Sequence, residues 1–135
     1  MSGKITLPAT LESWEQVYNF LNENLDSMDC SEKVKTQVLI AAEEIYVNIA
    51  RYAYKEGGGT AAVEISREED TVEITIVFTD NGVCYNPLER GDPDITLSAD
   101  EREIGGLGIY MVRKMMDEVT YQYKDGNNIL TIRKK

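Results

Sequence analysis

The sequence predicts an α+β fold, a two-layer sandwich in which helices cover one face of a sheet made from two hairpins. Three patterns predict it. Apolar residues recur at helical spacing in two long stretches of the N-terminal half, the signature of amphipathic helices. AAVEISR and TVEITIVFT alternate apolar and polar positions on either side of a polar EED, as two half-buried strands of a hairpin would. The C-terminal VTYQYKDGNNILTIRKK repeats the alternation around DGNN, a turn sequence of hairpins. At 135 residues the chain has the size of one domain with one core. No repeat, low-complexity tract or linker divides it, so residues 1–135 are expected to form a single domain.

Taken in order, a short strand is predicted around Lys4 to Leu7, followed by Pro8 and Thr10 as punctuation. Leu11, Trp14, Val17, Leu21 and Leu25 then form an apolar stripe on a first helix. Ser31 is half of a capping signal for a second, longer helix whose core positions are Val34, Val38, Ala41, Ala42, Ile45, Ile49 and Ala53, with the glycines at 57–59 as its stop. The first hairpin follows. Leu88 to Ile104 is acidic, contains Gly91 and Pro93 and lacks periodicity, which predicts a long surface loop of the kind that serves as a lid. A third helix is expected over about Leu107 to Asp117, directly after glycines. The second hairpin ends the chain, with Val119, Tyr121 and Tyr123 on one strand and Leu130 and Ile132 on the other.

Composition excludes several chemistries. With 24 acidic against 14 basic residues, the formal net charge is −10, and such a field repels phosphate backbones and anionic lipid. Nucleic acid is therefore not an expected partner. No apolar run approaches the roughly 18 residues of a membrane span, and the N-terminal MSGKITLPAT lacks a secretion signal, so a cytoplasmic protein is expected. Cys30 and Cys84 are too few for a disulfide framework and wrongly spaced for zinc. There is no histidine, which removes phosphohistidine chemistry, serine-histidine triads and the usual catalytic zinc sites. Acid-base work would fall to carboxylates, Lys, Tyr or Cys.

Three short stretches can carry chemistry. In AAEEIYVNIARYAY, residues 41–54, Asn48 interrupts a helical run one turn after Glu44. Asparagine competes for backbone hydrogen bonds, so an interior one needs solvent, a partner or a ligand. Side by side at the border of the apolar stripe, the carboxylate could take a proton and the carboxamide could offer oxygen to a hard cation such as magnesium; a polar helix margin is the plainer alternative. In DNGVCYNP, residues 80–87, a strand stops at Asp80 and Gly82 follows. A carboxylate there can accept from an exocyclic amine, and a glycine lets a flat ring approach the backbone; a local turn explains the same residues. In IGGLGIYMV, residues 104–112, Gly105, Gly106 and Gly108 flank Leu107 at a helix start. Exposed N–H groups and the helix dipole there favour a phosphate, although helix packing or a hinge would also use glycines. The spacing is not that of a dinucleotide-binding fingerprint.

In this order the three stretches resemble the N box (EEIYVN) and the two glycine boxes (DNG, GGLGI) of the GHKL ATPases. The resemblance covers nearly the whole chain and, with NIARYAY and YNP beside the boxes, is greatest to bacterial anti-sigma factor serine/threonine-protein kinases. It implies the Bergerat fold, a mixed, mostly antiparallel sheet with three helices on one face. It further implies ATP and Mg2+, Glu44 as general base, Asn48 as magnesium ligand, Asp80 as partner of the adenine amino group and Gly82 beneath the adenine. Gly105, Gly106, Leu107 and Gly108 would lie at the phosphates, Thr131 near the adenine, and Arg90 and Arg102 would be lid cations facing the γ-phosphate. Tyr52 and Glu43 depart from the residues usual in relatives, a histidine and a small residue. Histidine kinases proper need a phosphoaccepting histidine and a dimerisation helix pair, and neither fits this chain.

Two functions compete on this basis. One is a protein serine kinase that phosphorylates a small anti-sigma factor antagonist and sequesters a sigma factor; the other is a non-catalytic, nucleotide-gated protein-binding module. Only the first needs Glu44. Exposed sheet edges and the resemblance both suggest a homodimer.

Overall fold

The computed structural model describes residues 2–54, 58–89 and 106–135. Strand β1 (Ser2–Pro8) leads through a 3-10 turn (Leu11–Ser13) into helices α1 (Trp14–Ser27) and α2 (Glu32–Tyr52). Strands β2 (Thr60–Ser66) and β3 (Ile74–Asp80) follow, then a second 3-10 turn (Pro87–Glu89), helix α3 (Gly106–Met115) and strands β4 (Glu118–Lys124) and β5 (Asn127–Lys134). The sheet runs β1-β2-β3-β5-β4. The predicted α+β sandwich is present, and all four ladders of the described residues are antiparallel, where the family resemblance implied a mixed, mostly antiparallel sheet.

Register builds the core. Because side chains alternate between faces and cross-strand partners share one, Ile5, Val63, Phe78, Leu130 and Tyr121 form one row across the sheet, and Gly3, Ile65, Ile76, Ile132 and Val119 the next. Val17, Leu21 and Leu25 of α1, Val38, Ala41, Ala42, Ile45 and Tyr46 of α2 and Val112 of α3 close over the central strands as one apolar cluster. The row beyond, at the strand ends, is Leu7, Ala61, Asp80, Asn128 and Tyr123. The core-facing side of the sheet thus ends in a polar pair.

Some boundaries differ from expectation, each for a local reason. Leu11 belongs to the 3-10 turn, not to α1, and is 49% exposed; the Thr10 hydroxyl accepts from Ser13 N–H at 3.3 Å and caps that turn instead. At α2 the half-signal suffices, since Ser31 Oγ accepts from Val34 N–H at 3.1 Å. The helix ends at Tyr52, before the glycines, because the Ala53 carbonyl accepts from Val83 N–H at 2.8 Å. β3 begins at Ile74, leaving Val72 69% exposed. In the second hairpin the turn is Asp125-Gly126 alone, both at positive φ (53° and 81°), as a two-residue hairpin turn of the mirror-image type requires; Asn127 and Asn128 are already strand. Among the described residues no helix is long and apolar enough to cross a membrane, and Cys30 and Cys84 are free thiols.

Tyr46 ties the layers together. Fully buried, it lies with its ring 5.8 Å from that of Trp14 and its hydroxyl donates to the Thr10 carbonyl at 2.8 Å, with the Pro8 carbonyl at 3.1 Å. Burial pushes its pKa above the ordinary tyrosine value. Tyr46→Phe is expected to lower stability by about 1 kcal/mol through the lost hydrogen bond, and Tyr46→Ala by about 3–5 kcal/mol through the cavity. Urea unfolding checks both; an unchanged midpoint for Tyr46→Phe would show that the hydroxyl does not hold β1 to α2.

Candidate functional site

The site starts from the pair at the strand ends. Asp80 and Asn128 face each other across β3 and β5 and are only 6% and 7% exposed. Buried polar groups need partners, and Asn128 uses both ends of its carboxamide. Its Nδ2 donates to Asp80 Oδ1 at 3.0 Å and to the Val83 carbonyl at 2.9 Å. Its Oδ1 accepts from Tyr85 N–H at 3.2 Å and from the Tyr121 hydroxyl. One side chain thereby joins β3, the following turn, β4 and β5. Asp80 Oδ1 also accepts from Gly82 N–H at 2.9 Å. Burial, with the Cys84 thiol 3.8 Å away, pushes the Tyr121 hydroxyl up to about 12.

The turn after Asp80 is seated on the end of α2. A Cβ on Gly82 would lie 2.1 Å from the Ala53 carbonyl oxygen and 2.6 Å from its carbon. Both are backbone atoms, so only glycine fits. Gly82, expected to let a ring approach, is also the point where helix and turn come together. Tyr54 supports the same junction: its hydroxyl donates to the Thr60 carbonyl at 2.6 Å and accepts from Asn81 N–H at 3.1 Å.

Between α2, α3 and the sheet lies a cleft of about 510 Å³, part of it open to solvent. Ile45, Ile49, Phe78, Val83, Ile109 and Leu130 give it apolar walls; Tyr52, Tyr85 and Tyr121 add aromatic ones, and Asn48, Asp80 and Asn128 the polar groups. An apolar cleft with a few convergent polar groups is the usual form of a small-molecule site. Tyr52 and Tyr85 are 48% and 45% exposed.

The structure therefore brings Asn48 and Asp80, distant in sequence, to one cleft. Glu44 lies one turn before Asn48 on α2 and meets α3 at Gly108. Gly106 and Leu107 open α3. Gly105, Arg90, Arg102 and nearly all of the expected lid lie outside the described residues, Leu88 and Glu89 falling in the second 3-10 turn. Thr131 is not in the cleft: it pairs with Val77, and alternation from Leu130 and Ile132 turns it to the opposite face of the sheet. Asn128 stands beside Asp80 instead. The signal for it was the even spacing of Asn128, Leu130 and Ile132, which puts all three on one face; reading DGNN wholly as turn concealed it.

Asn128→Leu removes a partner from Asp80, Val83 and Tyr85 at once and is expected to cost more than about 2 kcal/mol, whereas Thr131→Ala is expected to cost less than about 1 kcal/mol; equal losses in urea unfolding would contradict the network. A second expectation concerns pH. The folded pKa of Tyr121 exceeds its unfolded value of 10, so its contribution is complete below pH 10 and is lost as pH rises towards about 12. Stability is expected to fall over that window, and less so in Tyr121→Phe. Thermal unfolding at pH 9 to 12 checks it.

Residues 7–134 match the family described as the histidine kinase-like ATPase domain. The chain is similar to the serine/threonine-protein kinase BtrW of Bordetella bronchiseptica, 29% identical over 102 residues, covering 76% of this chain and 71% of that one. It is also similar to the serine-protein kinase RsbW of Bacillus cereus, 35% identical over 95 residues, covering 67% of this chain and 58% of that one. Its fold resembles the crystal structure of the RsbU and RsbW domains of a Mycobacterium tuberculosis protein, with a TM-score of 0.72 at 17% identity, over 100% of this chain and 32% of that chain. Sequence motifs, family match and fold agree. The chain belongs to the histidine kinase-like ATPase domain family.

Proposed function

We propose that the protein is an ATP-dependent protein serine kinase of the anti-sigma type, which phosphorylates a small antagonist protein and, when not so engaged, holds a sigma factor. The observation that carries this reading is a single cleft uniting Asn48 of α2 with Asp80 of β3, one helical turn from the carboxylate of Glu44. Support comes from BtrW and RsbW, both named protein kinases.

Asp80 Oδ1 is committed to Gly82 N–H and Asn128 Nδ2, so an exocyclic amine entering the cleft would meet Oδ2. The apolar walls suit a flat base, and the first turn of α3 suits the phosphates. Glu44 would take the proton of the acceptor serine hydroxyl as its oxygen bonds to the γ-phosphorus and the bond to the β-phosphate oxygen breaks, releasing ADP. Magnesium is commonly held by one or two protein oxygens together with substrate phosphates and water; Asn48 Oδ1 would be the protein oxygen. When bound, the ion balances phosphate charge. A homodimer formed through an open edge, β1 or β4, is part of the same proposal.

Incubation with labelled ATP, magnesium and lysate of the source cell is expected to yield one small phosphoserine protein. Glu44→Gln is expected to lower that transfer by at least about 100-fold while retaining ATP; unchanged transfer would remove Glu44 from the reaction. Asn48→Ala is expected to abolish the magnesium dependence of ATP binding, and calorimetry showing the same metal dependence as the parent would refute its assignment.

A further inference from the structure

We infer that Gly108 is the positioning residue of Glu44: its missing side chain leaves the space in which the Glu44 carboxylate sits. The inference rests on the kinase reading for its consequence, and on geometry for its substance. A Cβ on Gly108 would lie 2.3 Å from Glu44 Oε2 and 3.0 Å from Cδ, so the carboxylate occupies the place of a side chain at position 108.

What lies against each glycine decides the meaning of a substitution. At Gly82 the obstacle is backbone, and the chain itself would have to move. At Gly108 it is the end of a flexible acid on the neighbouring helix. α3 has little freedom to withdraw, since its own Ile109 and Val112, and Met116 directly after it, are buried. Alanine at 108 is also no burden to the helix, being a better helix former than glycine. The response that costs least is rotation of the Glu44 side chain. The fold is kept and the proton acceptor is displaced.

Placed in the first turn of α3, Gly108 also lets the carboxylate approach the positive end of that helix. Asn48 follows Glu44 by one turn on α2, so the close approach fixes the acid relative to the oxygen proposed for magnesium. A displacement on the order of 1 Å at a reacting group can cost about 100-fold in rate. The glycine box thus serves the base as well as the phosphates.

The test has two readouts. The first is the side-chain carboxyl carbon resonance of Glu44, identified by its loss in Glu44→Gln, in the full-length chain with and without Gly108→Ala. Its chemical shift is expected to move, with thermal unfolding unchanged or raised. The second is transfer from ATP to the phosphoserine protein. Gly108→Ala is expected to lower kcat at least about tenfold and the KM for ATP by less than about threefold. In the Glu44→Asp background, where the acid is one methylene shorter, the same change is expected to add little. An unmoved resonance, or additive losses in the double variant, overturns the inference, as does lost ATP affinity with the resonance unmoved. If the parent protein transfers no phosphate while the resonance moves, the kinase reading fails and the seat of Glu44 stands.

Discussion

At the end of two apolar rows, the sheet turns a carboxylate and a carboxamide towards its own core, and the local structure follows from how they are satisfied. Leaving a buried polar group unpaired costs about 1–3 kcal/mol, so Asp80 and Asn128 must be matched or the fold loses a large part of a typical stability of about 5–15 kcal/mol. Asn128 achieves this by four bonds that reach β3, the turn after it and β4. The turn after β3 is consequently held by the last strand, and Asp80 is left with one oxygen engaged by protein donors. A buried network of this kind fixes geometry because each bond is available in one arrangement only.

Helix α2 is the second constraint. Its apolar stripe supplies Val38, Ala41, Ala42, Ile45 and Tyr46 to the core, which fixes the rotation of the helix and hence the direction of Glu44 and Asn48 at the stripe's margin. Its last carbonyl caps against Val83 N–H, with Gly82 pressed on Ala53. The helix that offers the proposed base and metal ligand therefore also seats the turn that offers Asp80. Packing and chemistry share one element, and a shift of α2 would reach both ends of the cleft.

Much of this was legible in the sequence because patterning and burial coincide. The alternation around EED and DGNN gave both hairpins, and the stripe of α2 gave the border position of Asn48. The motifs EEIYVN, DNG and GGLGI led to the family that the chain joins. What was missed has physical causes. Asn128 looked like turn because Asp125 and Gly126 alone supply the positive φ angles the turn needs. Thr131 was placed near the adenine by resemblance, and one residue of register sends it to the other face of the sheet. Gly82 was read as admitting a flat ring and Gly108 as exposing backbone N–H groups; that each also lies against α2, at a backbone carbonyl and at a carboxylate, is tertiary.

The central claim is that Asp80, held by Asn128, presents a carboxylate oxygen to an amine in the cleft. Adenine offers a donor at that edge and guanine an acceptor, and a buried site built for one rejects the other strongly. Calorimetric titration of the full-length chain with ATP and with GTP, each with magnesium, measures this directly. ATP binding with GTP at least about 100-fold weaker is the expected result; equal affinities, or no heat with either nucleotide, would contradict the claim.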